Sequence, residues 1–195
     1  MQKELAIHQK IEVLEKEIML KKEELSALRK QVPFQEVKDY LFINKNGDSV
    51  ALSELFGDKD ELIIIHNMGK SCAYCTLWAD GLNGMTAYFE DRAGFVVVSS
   101  DSYKEMSEFA EKRKWTFEIA SSKENTFKKD VGFFSGNHSY PGISVFKKEK
   151  SGRIMHTSRA FFGPGDNYCS LWDVFAMLNS EDLKWGPSYQ LKTKK

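Results

Sequence analysis

Apolar positions along the chain alternate between strand-like and helix-like spacing. The aliphatic run at residues 62–65 is mostly β-branched, which is typical of a strand buried on both faces of a sheet. After Cys72 the apolar spacing becomes helical, so we expect a helix that starts at or just after this residue. The order of strand and helix then repeats. A second aliphatic run at 95–98 predicts a strand, and a capping box predicts a helix over residues 102–114. Strand, helix, strand and helix of these lengths indicate right-handed crossovers around a parallel sheet.

The N-terminal stretch predicts one long helix. Residues 3–30 are nearly free of glycine and proline, and their apolar positions recur every three or four residues until the stripe is interrupted at Lys21. Pro33 ends the pattern. We expect this helix to pack either on the rest of the protein or on a second copy of itself. The domain organisation that follows is a helical extension over residues 1–32 and one domain over residues 33–195.

The remaining patterns predict hairpins, a loop and a closing helix. Asn46-Gly47 lies between two apolar runs and indicates a tight β-hairpin turn. Residues 121–139 are polar and aromatic without a clear period, which predicts a loop. The segments 143–146 and 154–157 alternate as an antiparallel hairpin, and residues 168–178 have the spacing of a last helix.

Composition narrows the functional classes. The chain has 195 residues, 42% of them hydrophobic, which is enough for one good core and an appendage. Lys and Arg number 28 and Asp and Glu 28, so no basic surplus indicates a nucleic-acid partner. The sequence shows no signal peptide and no apolar run of membrane-spanning length, and we expect a cytoplasmic protein that does not enter a membrane.

Two of the three cysteines stand close together, as Cys72-Ala73-Tyr74-Cys75. A helix N-terminus favours negative charge, and cysteines there have pKa values lowered from about 8.5 to roughly 3.5–7.5. Cys72 is therefore predicted to be the nucleophile. The two-residue spacer allows Cys75 to attack Cys72 in turn, so the pair can cycle between dithiol and disulfide.

Zinc binding and inert packing are the alternatives for this pair. A structural zinc ion needs four ligands, usually with a second close Cys or His pair, whereas His66, His138, His156 and Cys169 are scattered singly. Three cysteines in a reducing compartment do not make a disulfide framework. We therefore favour redox chemistry without a metal ion or other cofactor.

A strand leading into this motif, with a terminal antiparallel hairpin and a last helix, resembles the thioredoxin-like fold. That fold is a three-layer α/β sandwich whose mixed sheet is flanked by helices. It places a cis-proline beside the disulfide, and Tyr140-Pro141 stands where one would be needed, just ahead of the strand at 143–146. The chain further resembles a thioredoxin-like bacterial family long filed as a domain of unknown function. The residues that carry this resemblance are His66-Asn67-Met68, the run from Cys72 to Gly81, Gly84, Val98-Ser99-Ser100, Lys114-Trp115-Thr116-Phe117, Ser121-Ser122, Ser144-Val145-Phe146 and His156-Thr157.

The resemblance implies a dithiol-disulfide oxidoreductase acting on a disulfide or dithiol of a protein or small thiol, recycled by an unknown reductase. Supporting residues would be His66 as a proton carrier near the thiols, Asp80 as a proton acceptor or as the cap of a bend, and Trp78 in packing the helix. One alternative is a thiol peroxidase or redox sensor of the peroxiredoxin type, although Gly69 stands where that type needs threonine. The other is a noncatalytic binding protein that keeps the fold. A homodimer through the N-terminal helix is compatible with all three.

Overall fold

The computed structural model of the chain describes residues 2–179 and 185–189. It divides into two compact units, Met1–Phe34 and Gln35–Lys195. The first contains the single helix α1 (Gln2–Arg29), which matches the helix predicted over residues 3–30. Its apolar side chains, among them Ile11, Leu14 and Ile18, are exposed.

The second unit alternates strands and helices. In chain order its elements are β1 (Gln35–Val37), β2 (Leu41–Asn44), β3 (Ser49–Ala51), β4 (Glu61–Asn67), α2 (Ala73–Asn83), α3 (Thr86–Arg92), β5 (Gly94–Ser99), α4 (Tyr103–Arg113), β6 (Glu118–Ser121), α5 (Phe127–Asp130), β7 (Phe134–Ser135), β8 (His138–Ser139), β9 (Gly142–Lys148), β10 (Ile154–Phe161) and α6 (Leu171–Ala176). Among the described residues, eight strands form one sheet in the order β1-β10-β9-β4-β5-β6-β2-β3.

The centre of the sheet is β4. It pairs in parallel with β5, which pairs in parallel with β6, and it pairs antiparallel with β9. Its side chains alternate between two hydrophobic cores. Leu62 and Ile64 belong to the core that also contains Phe127 of α5, whereas Ile65 belongs to the core that contains Trp78 of α2. Helices therefore pack on both faces of a mixed sheet, as the predicted three-layer sandwich requires.

The helix that carries the cysteine motif begins where the sequence predicts. Cys72 is the N-cap residue of α2, and the helix buries Trp78, Ala79 and Leu82 against the sheet. It ends at Asn83 with Gly84 as the C-cap. The capping box of α4 is also present, because the Ser102 side chain and the Glu105 side chain each bond the other's backbone N–H.

Two predictions on local structure need correction, and two further elements were not predicted. The segment predicted as a loop over residues 121–139 contains the end of β6, the helix α5 and the hairpin β7–β8. Strand β1 and helix α3 were not predicted. The last helix is shorter than residues 168–178, since α6 covers only Leu171–Ala176. Each missed element is between two and seven residues long, too short for a hydrophobic period to identify it.

Candidate active site

The two cysteines meet at the N-terminus of α2 as free thiols. The Cys72 sulfur caps the helix by accepting a hydrogen bond from the backbone N–H of Cys75, with 3.1 Å between N and Sγ. Cys72 is partly exposed, whereas Cys75 is 3% exposed. Cys72 is therefore the more accessible of the two thiols.

The surroundings of the two thiols shift their pKa values in opposite directions. The Cys75 side chain donates a hydrogen bond to Cys72, and with help from the backbone N–H groups of Cys75 and Tyr74 this lowers the pKa of Cys72 to about 7, against the opposing effect of burial. The same hydrogen bond, together with burial, raises the pKa of Cys75 far above its usual value. This hydrogen bond thus favours the thiolate form of Cys72 and keeps the proton on Cys75.

The loop between β4 and α2 is fixed by a short network. Gly69 has φ +120°, and a Cβ at this position would lie 2.6 Å from Oδ1 of Asp101. The backbone N–H of Gly69 donates to Oδ1 of Asn67 at 2.7 Å, and that of Lys70 donates to Oδ2 of Asp101 at 2.6 Å. The loop therefore requires glycine at position 69, where a threonine would be both strained and sterically excluded.

A buried lysine lies at the same edge of the sheet. Lys128 of α5 is 5% exposed, and its Nζ donates to the backbone oxygen of Asn67 and, at 2.8 Å, to Oγ of Ser100. Burial lowers its pKa to about 7, although the charges of Cys75 and Asp101 act in the opposite direction. The sequence analysis missed Lys128 because it falls in the segment predicted as a loop. The spacing of Phe127 and Val131 around it was the only local signal of a helix.

His66 does not face the thiols, which corrects the prediction that it lies beside them. Its side chain follows Leu62 and Ile64 onto the face of β4 opposite α2, where its ring stacks on Phe133 with centroids 3.7 Å apart. Nε2 lies 2.9 Å from Oγ of Ser144. Burial, followed by the charge of Lys128, lowers the pKa of His66 well below its usual value. His66 is thus 1% exposed, and its hydrogen-bond partner within the described residues is Ser144, not a thiol.

Asp80 and Trp78 have partners of their own. The Asp80 carboxylate accepts hydrogen bonds from Nε of Arg113 and Nε1 of Trp115, both at 2.8 Å, and a further bond from the Arg113 guanidinium. These contacts join α2 to the end of α4 and the residues that follow it. Within the described residues no hydrogen bond joins Asp80 to Cys75, so the predicted proton transfer between them has no structural support. Trp78 is 3% exposed and packs its ring against Phe162 at 5.2 Å.

Tyr140 and Pro141 lie beside the end of β4 but are joined by a trans bond. Among the described residues no peptide bond is cis, so the cis-proline that the resemblance implies is not present at this position. Gly142, the next residue, pairs with His66 across β9 and β4. The Pro141 oxygen accepts the backbone N–H of Phe162 at 2.9 Å, which joins the proline to the residue that follows β10.

An aromatic residue near the C-terminus also belongs to the surroundings of the thiols. Burial, followed by the charges of Cys72 and Cys75, raises the pKa of Tyr189. Its ring lies 6.4 Å from that of Phe109 of α4. Sequence analysis did not select Tyr189, since no pattern in the terminal segment connects it with α2.

Residues 2–179 and 185–189 contain no group of three or more His, Cys, Asp or Glu side chains placed to hold a metal ion. Within the same residues, no helix has both the length and the apolar character needed to cross a membrane.

Comparison with known families shows to which family the chain belongs. The family model described as "Bacterial protein of unknown function (DUF899)" matches residues 3–180. The chain belongs to this family. The family resemblance drawn from the cysteine motif and its surroundings is therefore confirmed, and it extends over α1 as well as the sheet domain of this DUF899 protein. No curated protein sequence matches it.

Solved structures similar to this DUF899 protein include peroxiredoxins. Peroxidoxin BcpB from Mycobacterium tuberculosis is 19% identical with a TM-score of 0.54, and the match covers 66% of this chain and 84% of that one. Peroxiredoxin Q from Xanthomonas campestris is 16% identical with a TM-score of 0.56, covering 70% and 86%. A peroxiredoxin-like protein from Aquifex aeolicus is 17% identical with a TM-score of 0.53, covering 66% and 74%. These likenesses confirm the predicted thioredoxin-like fold.

Proposed function

We propose that this DUF899 protein is a thiol-disulfide oxidoreductase in which Cys72 is the nucleophile and Cys75 the resolving thiol. The observation that carries the proposal is the placement of both thiols at one helix N-terminus, where Cys72 is the N-cap and its sulfur accepts the Cys75 N–H at 3.1 Å. Cys72 is partly exposed with its pKa lowered to about 7, and the buried Cys75 donates the hydrogen bond that lowers it. A stabilised thiolate in front of a protonated thiol is the arrangement that disulfide exchange uses.

The reaction proceeds in two exchanges. The Cys72 thiolate attacks one sulfur of a substrate disulfide, so that a mixed disulfide forms and the other substrate sulfur leaves as a thiolate. Cys75 then loses its proton and attacks Cys72, which releases the second substrate sulfur and leaves a Cys72–Cys75 disulfide. Two electrons pass to the substrate, and its two sulfurs end as thiols. The reverse reaction oxidises a dithiol, and the reduction potential of the pair decides the direction.

The first test is the redox titration of the pair. We expect two thiols to disappear together when the protein is equilibrated in glutathione buffers of graded potential and counted with an alkylating mass tag. Peptide mapping should find Cys72 linked to Cys75 in the oxidised form. The Cys169→Ser variant, which removes the one cysteine outside the motif, should have the same midpoint. Persistence of both motif thiols at every potential would overturn the proposal.

Peroxide reduction is the second candidate, because the similar structures are peroxiredoxins. In that reaction Cys72 would become a sulfenic acid and Cys75 would condense with it, releasing water. The loop geometry favours disulfide exchange, since the positive φ of Gly69 and its contact with Asp101 leave no room for the threonine of peroxidases. Oxidation of Cys72 by stoichiometric hydrogen peroxide within seconds would favour the peroxidase instead.

We further propose that α1 mediates a parallel homodimer. Six of its apolar residues occupy core heptad positions, with Ile11, Ile18 and Leu25 at a and Ile7, Leu14 and Leu28 at d. In a parallel, in-register pair the flanking g and e positions bring opposite charges together, namely Lys10 with Glu15, Glu17 with Lys22, and Glu24 with Arg29. The full-overlap antiparallel pair instead brings Glu17 against Glu17 and Glu15 against Glu15. Charge complementarity thus selects the parallel arrangement.

Lys21 at a d position provides the test of this dimer. Because a lysine in the seam weakens a coiled coil, we expect Lys21→Leu to tighten dimerisation by about tenfold or more, measured by analytical ultracentrifugation. Lys16→Leu places the same new side chain at an outward f position and should leave the dimer constant unchanged. Equal sedimentation of the two variants as monomers at micromolar concentration would contradict the dimer.

A further inference from the structure

One peptide group stands between the buried Lys128 and the resolving thiol. The carbonyl of the peptide that joins Asn67 to Met68 accepts a hydrogen bond from Nζ of Lys128. The N–H of the same peptide, which belongs to Met68, bonds the Cys75 sulfur and lowers the pKa of that thiol. Since C=O and N–H point in opposite directions across a trans peptide, the lysine and the thiol lie on its two sides.

The remaining contacts of Lys128 keep the ammonium in this place. Its Nζ also donates to Ser100 Oγ at 2.8 Å, and its stem is buried beside the core residue Phe127. The titratable groups that act on it are Cys75 of α2, Asp101 in the loop before α4, and the neutral His66 of β4. No carboxylate within the described residues forms an ion pair with it, so its charge remains available to the thiol.

We infer that Lys128 is a positioning residue that activates Cys75, through polarisation of the Asn67–Met68 peptide. A cation on the carbonyl strengthens the dipole of the peptide, so its N–H stabilises a thiolate more than an unassisted amide does. This inference rests on the proposed disulfide exchange, in which Cys75 must become a thiolate during the second step.

The effect is specific to that second step. In the reduced pair, the bond to Cys72 is the largest contribution that holds the proton on Cys75. Once Cys72 is joined to a substrate sulfur, the Cys72 thiolate no longer exists, and the Met68 N–H and Lys128 are the groups that oppose the effect of burial on the pKa of Cys75. Cys75 then gives up its proton to solvent, its sulfur forms a bond to the Cys72 sulfur, and the Cys72–substrate bond breaks. The substrate sulfur leaves with the electron pair and takes up a proton from solvent, so atoms and charges balance.

The test separates the two exchanges with the aryl disulfide 5,5′-dithiobis(2-nitrobenzoate) in a Cys169→Ser background. One equivalent of coloured thiolate is released when Cys72 attacks, and a second when Cys75 resolves the mixed disulfide. We expect Lys128→Met to slow the second phase by about tenfold, the effect of one unit in the pKa of Cys75, while the first phase changes less than twofold. Lys129→Met, one residue along on α5 and exposed, should leave both phases unchanged.

A pH profile distinguishes charge from packing. Because burial lowers the pKa of Lys128 to about 7, its charge is present below that pH and is lost above it. The rate difference between the native protein and Lys128→Met should therefore be largest below pH 7 and shrink as the pH rises. Lys128→Gln, which can still donate to the Asn67 oxygen but has no charge, should behave like the methionine variant.

The outcomes also separate this inference from the proposed function. Absence of a second phase in the native protein would overturn the disulfide exchange itself. A second phase of equal rate in the native protein and in both folded Lys128 variants would overturn only the role of Lys128. A constant rate difference across the pH range would likewise contradict it, because a packing defect does not follow the charge of the lysine.

Discussion

Replacing Cys72 by serine is expected to abolish disulfide exchange, with a loss of roughly three orders of magnitude or more in rate. The serine hydroxyl keeps the size of the side chain and can still accept the Cys75 N–H that now meets Cys72 Sγ at 3.1 Å. It has no thiolate near neutral pH, so the helix N-terminus has no nucleophile to stabilise. The measurement is turnover of glutathione disulfide or of an aryl disulfide, with thermal unfolding to show that the fold is intact.

The matching variant Cys75→Ser should stop the reaction after its first half. Cys72 still attacks, one equivalent of substrate thiol is released, and the mixed disulfide accumulates because no second thiol resolves it. Intact-mass spectrometry should find the substrate attached to Cys72. In the native protein the second exchange removes this species. Cys169→Ser is the control for loss of a thiol elsewhere, and turnover at the native rate in either motif variant would contradict the assigned roles.

The sequence predicted the cysteine motif, its helix and the preceding strand because each rests on short-range chemistry. Four mostly β-branched aliphatic residues followed by a glycine favour a buried strand, and the N-cap position of Cys72 follows from the start of the helical period. The acidity of Cys72 was likewise predictable, since it depends on a helix N-terminus and on a neighbour three residues away. The proposed roles of Cys72 and Cys75 therefore follow mainly from residues that are close together in the sequence.

The side of the sheet on which His66 lies could not be predicted in the same way. A strand buried on both faces has apolar residues at every position, so its pattern does not show which face receives α2. Only the packed structure shows that Ile65 faces Trp78, which turns His66 toward Phe133. The prediction of a histidine near the thiols assumed that proximity along the chain means proximity of side chains.

Long-range partners explain the other differences. Asp80 is bound by Arg113 and Trp115, residues more than 30 positions away whose pairing depends on how α2 and α4 pack. The burial of Lys128 was not predicted for a second reason. Lysine is among the residues least often buried, so a sequence pattern assigns it to the surface. Its burial depends on the Asn67 oxygen and Ser100, which are brought together by the parallel pairing of β4 and β5.

The last prediction concerns acid stability and depends on two histidines that share one serine. Oγ of Ser144 lies 2.9 Å from Nε2 of His66 and 3.0 Å from Nε2 of His156. Nδ1 of His66 is buried without a partner, and His156 bonds the backbone of Ser158. The arrangement that leaves no N–H unpaired has His66 Nε2–H donate to Ser144, whose O–H donates to Nε2 of His156, with Nδ1–H of His156 donating to the Ser158 carbonyl. This network requires both rings to be neutral.

Protonation of either ring therefore opposes folding. Burial, with the charge of Arg159, lowers the pKa of His156 from 6.5 to about 4, and burial also lowers the pKa of His66 well below its usual value. Because the unfolded chain binds protons at higher pH than the folded one, this stabilisation is complete above pH 6.5 and is lost as the pH falls toward 4. We expect the free energy of unfolding to fall by up to about 1.4 kcal/mol per pH unit for each histidine in this window.

Urea unfolding at intervals between pH 7 and pH 4 measures this slope, and His156→Gln tests its origin. The glutamine amide can replace the Nε2 contact with Ser144 but does not titrate, so the slope should decrease by about 1.4 kcal/mol per pH unit while some stability is lost at pH 7. His138→Gln replaces an exposed histidine and controls for the loss of an imidazole elsewhere. If His156→Gln and the native protein lose stability in parallel from pH 6.5 to pH 4, carboxylates rather than the shared serine network account for the acid sensitivity.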